Sequence, residues 1–197
     1  AKRGLQLDGE YRYLSENFQG TSRIQYLNKD RDSDIDNRYL LDIKHKHNFY
    51  NGFTGTIEYE KVKNNDNDYF ADMSTSIAVT SQVSLRQKAQ LDYKNSDDFS
   101  NISASLKVQE FQNLSSASPY ELKPSFNMSF KKDWENNIDQ SLFLQTDAKF
   151  SYDQFDTGEN APKNKATGSR IASTPSVSFP MEASFGFLKP KLIANLR

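Results

Sequence analysis

The chain has 197 residues, an ordinary length for one domain. Its 25 lysines and arginines balance 26 aspartates and glutamates, so the net charge is −1 and no basic excess indicates a nucleic-acid partner. Apolar residues make up 36% of the chain and nowhere approach the run of roughly 18 that a membrane helix needs, which excludes a helical membrane protein.

Three further features of the sequence limit the class of protein: its aromatic content, its lack of cysteine and its two ends. Aromatic residues reach 13%, whereas disordered chains are poor in them, so we expect a folded chain. Cysteine is absent, which excludes disulfide and thiolate chemistry in this sequence. The chain opens without an initiator methionine or signal sequence, and both ends lie inside strand-like patterns, so we expect a segment of a longer protein.

Alternation of apolar and polar residues with a period of two recurs along the whole chain. This period is typical of a β-strand with one oily and one wet face. It is clearest in YELKPSFNMSF, which begins at Tyr120 and ends at Phe130. The same test predicts ten strands, in chain order 4–14, 18–28, 38–47, 52–63, 81–93, 102–111, 119–130, 138–152, 170–179 and 185–196.

The predicted connections alternate in length. Short ones cover 15–17, 48–51, 94–101, 131–137 and 180–184, and longer polar ones cover 29–37, 64–80, 112–119 and 153–169. Short turns at one end and long loops at the other are typical of an antiparallel meander and of outer-membrane barrels. Inside the second long loop, the piece DYFADM at 68–73 predicts a turn of helix.

The two faces of the predicted sheet differ in charge. One row of alternate positions in the four central strands carries no charge, and its lipid-facing candidates are Leu85, Leu91, Leu106, Val108, Leu122, Phe126, Met128, Leu142, Leu144 and Phe150. The interleaved positions carry Arg86, Lys88, Asp92, Lys107, Glu121, Lys123, Asp147 and Lys149. Lipid on the uncharged side explains the difference, because a lysine or arginine facing mid-bilayer costs about 2–4 kcal/mol.

A soluble β-sandwich also has an apolar face, so the alternation alone does not decide between the two environments. Strands such as 138–152 exceed the five or six residues usual in soluble sheets. Aromatic residues gather at both strand ends, as in the girdles of membrane barrels, and the wet face carries both charge signs. We therefore predict an all-β fold, an antiparallel up-and-down meander of about ten strands that forms part of a transmembrane β-barrel wall, with residues 1–197 as one partial barrel domain.

Three prolines lie inside predicted strands. Pro124, Pro175 and Pro190 each remove a hydrogen bond of the strand ladder, so we expect a bulge or weak pairing at each.

Catalytic and metal-binding patterns are weak. His45 and His47 share one strand face and can begin a metal site, but their phase continues an outward row toward an interface. The run DRDSDID at 30–36 is similar to a calcium loop, yet it lacks the central glycine and has Leu41 where the bidentate glutamate belongs. No phosphate loop or nucleophile elbow occurs, so we expect no enzyme activity, no cofactor and no metal.

Several stretches in order resemble the barrel of the LptD family, also called OstA or organic solvent tolerance proteins, which insert lipopolysaccharide into the outer membrane. They are RGLQLDGEYRYL, DNRYLLDIKHKH, IEYEKV with DNDYFADM, VQEFQ with YELKPSFNMSF, and RIASTPSVSFP. Their order and spacing span almost the whole chain. Each piece is weak by itself, and the ordered series is specific.

The resemblance implies a barrel of 26 strands preceded by a periplasmic jellyroll, with a lipoprotein plug, LptE, in its lumen. In this family the lipid is thought to leave by a lateral gate while the glycan passes through the wet interior. The chain would be an early-middle segment of the wall, in the bacterial outer membrane, and would work with lipopolysaccharide, an LptE-type plug, the remaining barrel and the periplasmic Lpt components. The charged residues that would line the lumen are Asp8, Glu10, Arg12, Asp42, Lys44, Glu58, Arg86, Lys88, Lys107, Glu121, Lys123, Asp147 and Lys149.

Two other functions stay open at this point. A porin-like channel shares the barrel wall, although a complete porin usually closes on an aromatic residue and this chain ends in Arg197. A soluble all-β adhesion or scaffold module shares the alternation and differs by remaining monomeric without detergent.

Overall fold

The computed structural model of the protein describes residues 4–31, 35–63, 84–97, 100–114, 119–135, 143–158 and 165–197. Most of the described residues are in strands: β1 (Gln6–Leu14), β2 (Phe18–Leu27), β3 (Arg38–Asn48), β4 (Phe53–Val62), β5 (Ser84–Ser96), β6 (Ser100–Asn113), β7 (Tyr120–Glu135), β8 (Phe143–Thr157), β9 (Gly168–Ser173), β10 (Ser176–Ser178), β11 (Met181–Ala183), β12 (Gly186–Leu188) and β13 (Lys191–Ile193). Within these residues, no helix has the length and hydropathy needed to cross a membrane.

One antiparallel sheet contains eleven of these strands, and its order follows the chain from β1 to β8 and then to β10 and β13. The strand β9 pairs with β8 beside β10, whereas β11 and β12 form a separate two-stranded ribbon. From β1 to β8, each strand pairs with its neighbours in sequence, which is the arrangement of an antiparallel meander. The all-β, up-and-down meander that the alternation predicts is therefore confirmed.

Most predicted strands form close to their expected bounds, and the differences have local causes. β5 and β7 extend to Ser96 and Glu135, into segments expected to be turns. The predicted strand at 170–179 divides into β9 and β10 on either side of Pro175, and the strand at 185–196 divides at Pro190. The turn expected at 180–184 instead contributes β11 to the ribbon. The expected helical turn at 68–73 and the strand starts at 81–83 and 138–142 lie outside the described residues.

Pro124 lies in a β-bulge of β7. The register of β7 against β8 shifts between Leu122 and Ser125, and the register of β6 against β7 shifts at the same place, between Lys107 and Gln109. Proline has no backbone N–H to donate, so an extra, unpaired residue is a stable way to accommodate it in a strand. The bulge expected at Pro124 is confirmed.

The sheet is a single layer over most of its area. Substantial contacts between described strands are those between hydrogen-bonded neighbours. The buried apolar core is confined to the long-loop end, where Leu27, Leu40, Val62 and Leu85 pack together and Leu114 packs against them. The remaining apolar side chains on the sheet therefore have no second protein layer over them among the described residues.

A tyrosine at the short-turn end occupies the space above a glycine. Tyr13 is the ladder partner of Gly20 across β1 and β2, and its hydroxyl lies 2.6 Å from Nδ1 of His45 on the next strand. A Cβ atom built on Gly20 would lie 2.2 Å from the Tyr13 hydroxyl oxygen and 2.6 Å from the backbone oxygen of Lys44. Gly20 is therefore required here because a side chain would collide with both a ring and a backbone.

This close approach predicts the effect of adding one methyl group. Gly20→Ala should destabilise the folded protein by about 1–3 kcal/mol, since either Tyr13 or the strand β3 must move. Gly168→Ala is the control, because nothing lies within 4 Å of a Cβ atom at that strand glycine, and it should be neutral or stabilise by up to about 1 kcal/mol. The urea midpoint of the folded protein measures both, and equal midpoints for the two variants would contradict the packing described.

Candidate functional site on the two faces of the sheet

The ladder pairs assign the charged side chains to faces, because directly opposed residues in antiparallel strands share a face. One continuous row joins Arg12, Thr21, Lys44, Glu58 and Lys88 across five strands. We call this side of the sheet the polar face. Of the predicted lumen residues, it contains Asp8, Glu10, Arg12, Asp42, Lys44, Glu58, Arg86, Lys88, Lys107, Asp147 and Lys149.

The opposite side carries the apolar row, and we call it the apolar face. Leu91 pairs with Leu106 and Leu106 with Phe126, while Met128 pairs with Phe150 and Leu144 with Trp134. These pairs place on it the predicted lipid-facing residues Leu91, Leu106, Val108, Phe126, Met128, Leu144 and Phe150. Contact of the apolar face with lipid and contact of the polar face with a lumen are both still predictions.

The bulge in β7 corrects the face assigned to three residues. Beyond it, Leu122 pairs with Gln109 and Phe155, so Leu122 lies on the polar face rather than beside Phe126. Glu121 and Lys123, which were predicted to line the lumen on the polar face, lie on the apolar face. The prediction assumed an unbroken alternation of faces through Pro124. The extra residue of the bulge exchanges the two faces for the residues that precede it.

The displaced charges form an ion-paired cluster at the long-loop end of the apolar face. The ammonium of Lys123 lies 2.8 Å from carboxylate oxygens of both Glu110 and Glu121. Lys61 and Asp156 line the same groove, which has a volume of about 480 Å³. The uncharged band on the apolar face therefore ends below this cluster.

Leu85 is a second correction. It is fully buried, at 0% exposure, in the apolar cluster with Leu40 and Val62, so the expectation that it faces lipid is wrong. Nearby, the side chain of Gln112 hydrogen-bonds both the N–H and the C=O of Val62, at 2.8 Å and 2.7 Å. Single-sequence periodicity does not detect such burial at a strand end. Leu142 lies outside the described residues.

Charges on the polar face are mostly satisfied by partners of opposite sign. Glu58 receives both Lys88, at 2.8 Å, and Arg86. Asp8 is bonded by Arg23 at 2.9 Å and by the side-chain amide of Gln25 at 2.7 Å. Most of these side chains are partly exposed and remain accessible to water. The pairs therefore keep the face hydrophilic and contribute little to stability.

A similar arrangement near the long-loop end of β8 was not predicted. Asp153 accepts a hydrogen bond from the hydroxyl of Ser125 at 2.7 Å and from the guanidinium of Arg170 at 2.8 Å. Asp153 and Arg170 were placed in a loop or at its edge by the alternation, so nothing in the local pattern marked them as partners. Their pairing follows only from the register of β8 against β9.

Asp30 belongs to the run that is similar to a calcium loop, and its carboxylate is already engaged. It forms an ion pair with Arg38, and both side chains are buried, at 0% and 2% exposure. The pair ties the connection between β2 and β3 to the start of β3, where Arg38 is the ladder partner of Leu27. Among the described residues, no group of three or more histidines, aspartates or glutamates is arranged to hold a metal ion.

The two histidines belong to an aromatic cluster on the apolar face at the short-turn end. His47 stacks on Phe49 with ring centroids 4.3 Å apart, and it also stacks on Phe18. Tyr11, Tyr13 and His45 continue the cluster. Aromatic residues with polar tips are typical of a membrane–water boundary.

The described residues form an open antiparallel sheet of long strands with one largely apolar face and one charged face, and such a sheet fits the class of β-barrel segments. The model of the LptD family, described as LPS transport system D, matches residues 36–195. The chain belongs to the LptD family.

Individual relatives agree with the family match. The chain is similar to the LPS-assembly protein LptD of Ralstonia nicotianae, with 32% identity over 99% of this chain and 23% of that protein. It is 31% identical to the protein of the same name from Aromatoleum aromaticum over 97% of this chain and 22% of the relative. It is 29% identical to the LPS-assembly protein LptD of Nitrosomonas eutropha over 98% of this chain and 25% of that protein. The chain thus spans about a quarter of the length of these relatives.

The buried Asp30–Arg38 pair predicts a large effect from removing one partner. Arg38→Ala should destabilise the folded protein by about 3–5 kcal/mol, because it removes a cation that contacts the buried Asp30 carboxylate. Arg12→Ala, at an exposed pair with Glu10, should cost less than about 1 kcal/mol. Urea unfolding measures both variants.

The double variant Asp30→Leu with Arg38→Met separates charge from packing. It should recover most of the lost stability, since it removes both charges of the buried ion pair together. A double variant as unstable as Arg38→Ala would show that packing, rather than the uncompensated charge, causes the loss.

Proposed function

We propose that the chain forms part of the wall of an outer-membrane barrel that assembles lipopolysaccharide at the cell surface. In this proposal the apolar face contacts lipid and the polar face borders a hydrated lumen that the glycan crosses. The rest of the barrel, a plug lipoprotein of the LptE type and the periplasmic Lpt components complete the machine. Membership of a family described as LPS transport system D and relatives named LPS-assembly protein support the proposal.

The observation that carries the proposal is the exposure of the apolar face. Leu106 is 46% exposed at the centre of a single-layer sheet, and its neighbours Leu91 and Val108 are similarly exposed. A soluble protein rarely leaves a continuous apolar surface of this size in water. Hydrocarbon supplies the missing cover, and it also accounts for the lack of charge on the central part of this face.

The polar face supports the other half of the proposal. Its ion pairs carry both signs, so the wall is hydrophilic without a strong net charge that would retain an anionic glycan. Backbone groups of the central strands are satisfied within the ladder, which a sheet in a bilayer requires because lipid offers no hydrogen bonds. A transport wall of this kind performs no reaction of its own.

Matched arginine substitutions on adjacent positions of β5 test the environment of each face. Leu91→Arg should destabilise the barrel in its membrane by about 2–4 kcal/mol, and cells relying on it should present less lipopolysaccharide at their surface. Gln90→Arg is the control on the polar face, where an arginine can take over the hydrogen bonds that Gln90 donates to Asp92. It should fold and support surface lipopolysaccharide as the parent does.

The readouts are the amount of folded barrel, from its altered gel mobility before heating, and surface lipopolysaccharide, from labelling of intact cells. Equal tolerance of both arginines would contradict the lipid-facing assignment. A folded Leu91→Arg barrel with normal lipopolysaccharide at the surface would contradict the proposed wall directly.

A further inference from the structure

The polar face carries a groove whose lining differs from the ion-paired part of the same face. The groove has a volume of about 610 Å³ and extends across β5, β6, β7 and β8 to the margin of β9. Its lining includes Asp92, Lys94, Ser103, Ser105, Asn127, Ser129, Lys149, Ser151, Ala172 and Thr174, together with Tyr93, Ala104, Met128 and Phe150 from the alternate positions of the strands. We call it the serine groove.

One ladder row crosses the serine groove from lysine to lysine. Lys94 pairs with Ser103, Ser103 with Ser129, and Ser129 with Lys149. The two lysines are three strand spacings apart, so their Cα atoms are separated by roughly 14 Å. Between them the floor presents only hydroxyl groups in this row. Lys94 lies two residues before the end of β5, so the groove occupies the short-turn half of the polar face.

The two lysines are available to a ligand. Neither ammonium has an ion pair with another residue in the described part of the chain, in contrast with Lys88 and Arg86, which both contact Glu58. The one carboxylate in the lining, Asp92, already accepts two hydrogen bonds from Gln90, at 2.8 Å and 2.9 Å. The groove therefore combines two uncommitted positive charges with a row of serine hydroxyl groups between them.

We propose that the serine groove binds an anionic oligosaccharide, with sugar hydroxyls on the serine floor and phosphate or carboxylate groups at Lys94 and Lys149. The inference rests on the proposed function and places a holding site for the glycan at the short-turn end of the lumen. Serine hydroxyls and the Asn127 amide donate and accept hydrogen bonds, as sugar hydroxyls do. Lysine binds an anionic group as a point charge on a flexible stem, so the two ammonium groups adapt to the spacing of the anions.

The lining favours a saccharide over a protein partner. Interfaces between proteins are enriched in aromatic residues, methionine and arginine, and they are depleted in lysine and serine. The row from Lys94 to Lys149 consists of lysine and serine alone, although Tyr93, Met128 and Phe150 also line the groove. Its small side chains also leave the space that a sugar ring needs, whereas the neighbouring polar groove of about 520 Å³ contains the long side chains of Arg12, Lys44 and Arg86.

Photo-crosslinking in living cells tests the site in the full-length protein. A photoreactive residue at Ser129 should capture endogenous lipopolysaccharide. Lys94→Glu with Lys149→Glu should lower that yield by about tenfold or more, because two charge-assisted contacts become repulsive. Lys46→Glu, a polar-face lysine of the neighbouring groove, should leave the yield within about twofold, since it lies outside the proposed contacts.

A further position separates failure of this site from failure of the proposed function. Thr56 lies on the polar face in the neighbouring groove. Capture at Thr56 without capture at Ser129 overturns the serine groove and leaves the proposed lumen standing. Loss of capture at both positions, with folded protein present, overturns the lumen as well, and capture of a protein alone at Ser129 assigns the groove to a protein partner.

The lysines are tested independently of folding by the milder pair Lys94→Gln with Lys149→Gln. In variants with parental amounts of folded barrel, capture at Ser129 should still fall several-fold, because neutral amides lack the charge. An unchanged yield in both double variants would overturn the role of the two lysines.

Discussion

The antiparallel ladder from β1 to β13 decides which face each side chain occupies, because paired residues share a face and consecutive residues alternate. In a single-layer sheet this constraint also determines which side chains meet the surroundings on each side. No second sheet covers the central part of either face among the described strands, so each face must suit the environment it meets. The apolar row through Leu91, Leu106 and Phe126 and the polar row through Arg12, Lys44 and Glu58 are two consequences of the same register.

A single extra residue is enough to exchange the faces of part of a strand. The bulge at Pro124 moves Leu122 to the polar face and brings Glu121 and Lys123 to the opposite side, where they form ion pairs with each other and with Glu110. The result is a charged cluster at the long-loop end of a face whose central part carries no charge. In the proposed barrel wall, this cluster would lie where the hydrocarbon ends, because charged side chains facing mid-bilayer are destabilising.

Much of the fold was predictable because it depends on local, repetitive signals. The period of two, the alternating loop lengths and the long strands gave the meander, and the proline at 124 indicated its bulge. The consequences of that bulge for Glu121, Leu122 and Lys123 required the pairing with two neighbouring strands. Burial of Leu85 and of the Asp30–Arg38 pair was not predictable either, since both arise where the connections at the long-loop end meet the sheet. The serine groove was missed because serine carries no strong signal in a strand, and only the register aligns Lys94 with Lys149.

The most direct test of the two-faced wall is the environment of adjacent residues on β6 in the full-length protein embedded in lipid vesicles. This chain contains no cysteine, so spin labels on Leu106→Cys and Lys107→Cys can report separately on the two faces. Collisions with oxygen, which concentrates in hydrocarbon, should dominate at position 106, and collisions with a water-soluble nickel chelate should dominate at position 107. Access of the chelate to both labels, or shielding of the label at 106 from both reagents by packed protein, would contradict the account.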